Sequence, residues 1–447
     1  MARHDSGKKA GCPRKNAREA ALHILQVIQK GTFGDVPLPA LLAEAGCDGH
    51  EKAFLQDEVY GVLRLRSLLD GVLRQFLARP AALSALLRQI LRMGAHELLF
   101  LGYVPAHATV DELASLARSR AGGRSAGLVN AVLRKVAASA EALRKGLEKR
   151  MGKVSSAADI AEIASVPEWL AQDWTGQYGI EAAAAMARSL TCAPQACWRV
   201  NMRRPGAGAL LDAWQSRGTA CAEHGFSLVQ EGHGTSLWEE LEAMERQGLV
   251  SRQGAASQLV AERVAQGLRD ARLADAGLWD CCCGRGGKTA ALLEQGVRVA
   301  LASDASSFRM RDFKENMVRL GLDCPPCLCS RAQDVEGSFA AIFLDAPCSG
   351  TGTLARNPEL RLRITSERMA QAESLQAELL RSAWQKLLPN GLLFYATCAL
   401  NRRENEDQAL RFLKETPQAA LQGMETLMPS SPGQDVLFLA AFQKKEG

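Results

Sequence analysis

Hydrophobic residues recur along residues 17–140 at the three- and four-residue intervals of an α-helix. Ala17, Ala20, Ala21, Ile24, Leu25 and Ile28 form one such face, and Leu83, Leu86, Leu87, Ile90, Leu91 and Met93 another. Strand-type alternation is scarce there, which predicts an all-helical domain over 1–140. Residues 137–165 mix Lys, Ser and Ala and read as a helical linker, placed at 141–165. Residues 166–255 carry Trp169, Trp174, Trp198, Trp214 and Trp238, five of the seven tryptophans, and are expected to form a small α+β domain. Over 256–447 the texture changes to short apolar runs, Leu278–Cys282, Val297–Ser303, Ala340–Leu344 and Leu392–Ala396. Helical stretches lie between them at Gly287–Glu294, around Ser306–Leu320 and around Ser366–Leu388. Strands alternating with helices of that length predict βαβ units and an α/β domain on a mostly parallel, doubly wound sheet, with ligands at the carboxyl ends of its strands.

Composition narrows the class. The 447 residues are 47% apolar, 23% charged and 5% aromatic, which excludes disordered and fibrous chains and suits a water-soluble protein of several domains. The apolar stretch near the end, Val436 to Phe442, falls far short of the ~20 residues of a membrane span, so no membrane association is expected. The basic N-terminus lacks an uninterrupted apolar run and a small-residue cleavage site, so secretion is not expected. Thirteen cysteines are an odd number, and three adjacent ones at 281–283 suit a reducing cytoplasm better than a disulfide framework.

Charge is uneven along the chain. Residues 1–150 hold 23 Lys and Arg against 14 Asp and Glu, whereas the remainder holds 31 against 35. A basic module joined to a near-neutral one suits a nucleic-acid enzyme, because phosphate contacts supply sequence-independent affinity. A solvated basic face without a partner explains the charge alone equally well.

Three segments carry candidate chemistry. In LWDCCCGRGGKTAALLEQG a strand ends at Asp280, a turn holds Gly284, Gly286 and Gly287, and a helix starts near Lys288 and Thr289. Glycines admit a ligand close to the backbone, and free N–H groups at a helix start suit a carboxylate or phosphate. The spacing is not that of a P-loop, since position 282 is Cys. A structural tight turn explains the glycines equally, but the next strand ends in Asp304, 24 residues after Asp280, where an acid commonly holds ribose hydroxyls. That geometry leaves S-adenosylmethionine and NAD both open. Asp334, after the third strand, is either an adenine-side acid or a plain loop acid.

In AAIFLDAPCSGTGTLARNPELR a strand delivers Asp345 and Cys348 to the sheet edge, and Pro347 stiffens the backbone between them. Beside Asp345, Ser349 and Gly350, a reactive thiol is favoured over a packing one. In LLPNGLLFYATCALNRRENEDQAL, Thr397 and Cys398 end another strand. Two thiols at two strand ends facing one pocket suggest a catalytic pair, with redox pairing as the competing chemistry. The CPPCLC run, Cys324 to Cys329, has no second CxxC and no nearby His, so no metal is expected; it sits where a third sheet strand belongs. His96 and His107 in the helical part are read as structural or surface groups.

The combination of Gly286–Thr289 (GGKT), Asp345–Gly352 (DAPCSGTG), Arg356–Leu360 (RNPEL) and Tyr395–Cys398 (YATC) followed by Glu404–Asn405 resembles the RNA cytosine-5 methyltransferases. The N-terminal part, with AREAALHIL, FLQDEVYGVLR, LLRQILRMGAHELLFLGYVPAHATVDE and GLVNAVLRKV, resembles a NusB-type RNA-binding domain. That fusion covers almost the whole chain and resembles the bacterial 16S rRNA cytosine-5 methyltransferases. The resemblance implies a Rossmann-like domain using S-adenosylmethionine, behind an all-α NusB-like domain and a small α+β domain.

It implies roles as well. Cys398 is the nucleophile that adds to carbon 6 of the base, Cys348 takes part in release, and Asp345 contacts the base edge near ring nitrogen 3. Cys282, Cys283, Gly284, Arg285, Gly286, Gly287 and Lys288 line the cofactor turn, Asp304 holds the ribose, Asp334 lies on the adenine side and Asp345 closes the pocket. The substrate is 16S rRNA, free or in a partly assembled small subunit, with the target base unstacked; neither DNA nor an obligate protein partner is implied. The sequence departs from the family at Cys282–Arg285, where small residues and a proline are usual, at Ala399, which replaces a frequent serine, and at Val436–Leu437, which replace Gly-Phe. The same chemistry on tRNA or another RNA is one alternative, and two readings of other kinds stand beside it. A DNA cytosine-5 methyltransferase would use Cys348 and leave Cys398 idle, and a non-catalytic RNA-binding factor would leave all of Asp345, Cys348 and Cys398 idle.

Overall fold

The computed structural model describes residues 16–30, 38–47, 49–228, 235–428 and 432–446; Cys12 lies outside them. Contacts divide the chain into two compact units, Met1–Thr191 with Asn357–Arg363, and Cys192–Arg356 with Ile364–Gly447.

The first unit is helical throughout its described residues. Its apolar stripes pack Leu25, Val59, Ile90, Leu91, Leu113, Val129 and Leu133 out of water. The unit reaches further than the sequence pattern suggested. The supposed linker forms helices Ala140–Gly152 and Ala157–Ala164, the second opened by a capping box in which Ser156 and Asp159 satisfy each other's backbone N–H. Helix Glu168–Thr191, assigned above to the small domain, also belongs here. A continuous run of helices shows where elements are but not which of them share a core, and by contacts the helical unit extends to Thr191. Four residues of the RNPEL motif, Asn357–Leu360, fall in this unit too. There Arg361 donates 2.8 Å hydrogen bonds to the carbonyls of Ala164 and Leu190.

The second unit contains two sheets. The smaller is antiparallel, built from β1 (Ala196–Val200), β2 (Thr219–Ala222), β3 (Gly225–Leu228) and β4 (Val250–Arg252) in the order β2-β3-β1-β4. Trp198, Trp214 and Phe226 fill its core, the last two stacked with centroids 5.2 Å apart. The larger has seven strands: β5 (Leu278–Asp280), β6 (Val299–Asp304), β7 (Cys327–Cys329), β8 (Phe339–Asp345), β9 (Leu387–Thr397), β10 (Ala419–Leu427) and β11 (Leu437–Lys444), in the order β10-β11-β9-β8-β5-β6-β7. Neighbours from β9 through β7 run parallel, and β11 is antiparallel to both β9 and β10. This is the expected doubly wound, Rossmann-like architecture. Cys327–Cys329 forms the third strand anticipated for that segment.

Order and direction place the site. After β5 the chain winds outward through β6 and β7, then returns to lay β8 on the other side of β5. The carboxyl ends of β5 and β8 therefore flank a topological switch point, where such sheets open a crevice. The small sheet is tied to the same region by a buried ion pair, Arg199 to both oxygens of Glu294 at 2.8 and 2.9 Å. Asn201 Nδ2 adds 3.0 Å bonds to the carbonyls of Gly248 and Leu320.

Candidate active site

β5 ends at buried Asp280, and the chain turns through Cys281–Gly286 into helix Gly287–Glu294. Gly286 sits at φ +81°, and a Cβ there would lie 2.6 Å from Phe313 and 2.8 Å from Met317. Only glycine fits both the left-handed backbone and the space. Asp304, at the end of β6, fastens the turn: its carboxylate accepts Gly284 N–H at 3.0 Å and Ser306 N–H at 2.8 Å. Burial pushes the thiols of Cys281 and Cys283 up, and Cys283 Sγ packs 3.6 Å from Met310 Sδ, so both act as small apolar groups.

A cavity of about 230 Å³ opens over this turn. Cys282, Cys283, Gly284, Arg285, Gly287 and Lys288 line it, as does Asp345 from β8. Gly286 and Asp304 support the turn and are not in the lining. Asp334 is exposed and paired with Arg331 at 2.9 Å. Arg285 pairs with Asp312 at 3.1 Å. Asp280 also lines the cavity. Its Oδ2 accepts the Thr289 hydroxyl at 2.6 Å, whereas its buried Oδ1 has no partner among the described residues. Burial pushes this carboxyl up to about 7, opposed by the Thr289 bond.

Beside the cavity, parallel β8 and β9 are in register at Asp345 and Ala396, so the loops after them leave the same edge. Cys348 Sγ and Cys398 Sγ stand 3.2 Å apart, and Cys398 N–H donates to Cys348 Sγ at 3.3 Å. Gly352 N–H bonds Cys398 O, and Gly352 O accepts Val436 N–H, both at 2.9 Å. A Cβ at Gly352 would meet Val436 O at 2.3 Å, so glycine is what lets three backbones converge behind the thiols. The Cys348 thiol is held well above its usual range by its hydrogen bond to Cys398, then by burial and nearby charge that includes Glu404. Lys288 Nζ lies 2.6 Å from Asp345 Oδ2. Burial alone would lower this ammonium, but Asp345, with smaller help from Cys398 and Asp280, holds it above the usual lysine value.

Residues 271–442 match the model of the family described as 16S rRNA methyltransferase RsmB/F, and residues 15–138 match that of the NusB family. The ribosomal RNA small subunit methyltransferase B of Vibrio vulnificus is 30% identical over 94% of this chain and 96% of its own length. The chain belongs to the RsmB/F family of 16S rRNA methyltransferases. Methyltransferases of this family take S-adenosylmethionine as cofactor. Two solved structures share the RsmB/F fold seen here. The crystal structure of PH0851 superposes with a TM-score of 0.71 at 20% identity, over 98% of this chain and all of its own. NSun6 from Pyrococcus horikoshii, solved with SFG, superposes at 0.52 and 17% identity, over 63% of this chain and 99% of its own.

Asp280, Gln253, Ser257 and Arg356 line the cavity without having been singled out from the sequence as site residues. For Asp280 a signal existed, an acid closing the first strand before a glycine turn. Gln253 and Ser257 lie upstream of β5 and carry no motif. Arg356 was quoted only within RNPEL; it reaches Asp435 at 2.6 Å.

Proposed function

We propose that the protein transfers the methyl group of S-adenosylmethionine to carbon 5 of a cytidine in 16S rRNA, through a transient bond between Cys398 and carbon 6. The observation that carries this reading is the pair of thiols 3.2 Å apart beside the Lys288–Asp345 ion pair and the cavity over the glycine turn. Bound there, S-adenosylmethionine supplies an electrophilic methyl group.

The residues of the cavity suit that ligand. The unpartnered Asp280 Oδ1 is placed to accept the ammonium of its methionine part; Asp304 and Asp334, proposed for the ribose and the adenine side, lie outside the cavity lining, with Asp334 paired to Arg331. The NSun6 structure containing SFG, an analogue of S-adenosylmethionine, supports the same use of the fold.

The thiolate of Cys398 adds to carbon 6, and the electron pair displaced from the ring double bond makes carbon 5 the nucleophile toward the methyl group. Negative charge that develops on the ring at nitrogen 3 and oxygen 2 is offset by the Lys288 ammonium, which Asp345 holds in place. Release then removes the carbon-5 proton to a base. Its electron pair re-forms the ring double bond, the bond between carbon 6 and sulfur breaks, and the sulfur leaves with that bond's electrons. Cys348, against the departing sulfur, acts in this second half. A DNA methyltransferase using Cys348 as nucleophile would leave Cys398 without a task.

The substrate is 16S rRNA, free or within an assembling small subunit, with the NusB-like helices contributing RNA affinity; no obligate protein partner is proposed. No helix among the described residues is long and apolar enough to cross a membrane, and the proposed location is the cytoplasm. Incubation with labelled S-adenosylmethionine and unmethylated 16S rRNA, tRNA or duplex DNA, followed by nucleoside analysis, tests the reading. Label in 5-methylcytidine from 16S rRNA is expected; label only in tRNA or DNA, or in another nucleoside, overturns it.

A further inference from the structure

The buried Glu404 and Gln376 take no part in the chemistry above, yet they close around Cys348. The two backbone groups flanking this cysteine are each held by a buried side chain. Gln376 Nε2 donates to Pro347 O at 2.9 Å, and Ser349 N–H donates to Glu404 Oε2 at 2.8 Å. Gln376 Nε2 also bonds that same Glu404 oxygen at 3.0 Å, and Asn401 Nδ2 donates to Glu404 Oε1 at 2.9 Å. The Tyr395 hydroxyl, three residues before Cys398, lies 2.6 Å from the Glu404 carbonyl and 3.2 Å from Gln376 Oε1.

Glu404, Gln376, Asn401 and Tyr395 are all 0% exposed. A buried carboxylate is costly unless donors occupy its oxygens. Three N–H donors do so here, and among the described residues no cation pairs with Glu404. A charge kept out of water at this cost, and spent on the residue next to a reactive thiol, needs a local purpose. Packing would be served as well by an apolar side chain of the same volume.

We propose that Glu404 and Gln376 are positioning residues that clamp the peptide groups on either side of Cys348, holding its sulfur against Cys398 for the release half of the reaction. The inference rests on the two-thiol reading above. Bonds to the backbone before and after one residue fix the direction of its Cα–Cβ bond. The same network anchors Tyr395 and Glu404 on the Cys398 loop, so both sulfurs are referred to one rigid frame. Glu404→Gln keeps volume, but its NH2 group must oppose either Asn401 Nδ2 or, turned over, both Ser349 N–H and Gln376 Nε2. Gln376→Leu deletes the Pro347 bond from the other side.

The test compares wild type, Glu404→Gln, Gln376→Leu, Cys348→Ala and Cys398→Ala, each with S-adenosylmethionine and unmethylated 16S rRNA. Turnover, KM for RNA and the fraction of protein shifted into a covalent RNA adduct on a denaturing gel are read together. The clamp predicts kcat lower by roughly tenfold to a hundredfold in Glu404→Gln and Gln376→Leu, as for an angstrom-scale misplacement. KM for RNA stays within about twofold, because the loss falls after binding. The adduct fraction rises toward that of Cys348→Ala. Folded Glu404→Gln that loses turnover without gaining adduct, while Cys348→Ala does gain it, overturns the clamp and leaves the two-thiol reading standing. Absence of adduct in Cys348→Ala overturns the reading beneath it. Because Glu404→Gln is nearly isosteric, the test holds even where Gln376→Leu does not fold.

Discussion

Buried ionisable groups occur in both units, and they do different work. In the helical unit Glu58 and His96 meet at 2.9 Å with neither exposed; burial pushes Glu58 well up and brings His96 down to about 4. Nearby, Glu97 takes a two-pronged bond from Arg18 at 2.9 and 2.7 Å and a third from the Thr109 hydroxyl at 2.7 Å. These groups pair with one another inside a helical core, although Glu58 Oε1 has no partner among the described residues. At the carboxyl edge of the large sheet Asp280, Lys288 and Asp345 line a cavity, Asp280 Oδ1 is likewise without a partner, and Cys348 and Cys398 stand 3.2 Å apart beside it. A shifted pKa alone therefore does not mark a site. An unfilled hydrogen bond does not mark one either, since Glu58 Oε1 has one too; what marks the site is a shifted group lining a cavity beside two close-set thiols.

The sharpest way to break that contrast is at the nucleophile. Cys398→Ala is expected to cut methylation at least about a thousandfold, as for loss of a covalent nucleophile, with RNA binding retained in a filter assay. Next comes the fixed charge: Lys288→Met should lower kcat roughly a hundredfold and leave the melting midpoint of the second unit close to wild type. Smaller is the effect at Asp280. Its carboxyl, pushed up to about 7, is ionised as pH rises from 6 to 8, and a cationic ligand needs the ionised form. Affinity for S-adenosylmethionine should accordingly rise about tenfold over that interval, and titration calorimetry on Asp280→Asn should show the dependence gone.

The helical unit supplies the converse of the contrast, an effect on stability that leaves activity unchanged. His96 titrates near 4 when folded against about 6.5 when unfolded, so its neutral form is the folded one. Its contribution is fully present above about pH 6.5 and is lost as pH falls toward 4, by up to about 3 kcal/mol. The raised Glu58 slopes the opposite way, being lost as pH rises above the ordinary carboxylate range. The difference between wild type and His96→Gln in amide-exchange protection of helix Ala85–Phe100 over pH 4–7 isolates the histidine. Methylation per folded molecule should be unchanged at pH 7.5.

Much of this was legible in the chain, unevenly. Helix Gly287–Glu294 stands where its glycine turn and apolar spacing place it, and β8 and β9 contain the apolar runs that announced them. The closing pair β10–β11 was not anticipated. Residues 419–427 lie half exposed at the sheet edge and show no clean alternation, and Leu437–Phe442 reads equally as a buried helix turn. The end of the NusB-like part at 140 agrees with the family match, which closes at 138, but the grouping of helices Ala140–Gly152 to Glu168–Thr191 with the first unit depends on tertiary contacts, which local helical periodicity does not encode. At the site, the thiols were visible as strand-end cysteines, but their proximity depends on β8 and β9 being adjacent, which spacing along the chain does not encode. The roles of Glu404 and Gln376 were invisible for the same reason, since they lie 28 residues apart and meet only around Cys348.

The most direct test of the account is the identity of the bonded sulfur. Cys348→Ala incubated with S-adenosylmethionine and unmethylated 16S rRNA, then digested and mapped by mass spectrometry, should yield a methylated cytidine attached to Cys398. An adduct on any other residue, or an adduct formed by Cys398→Ala instead, would contradict it.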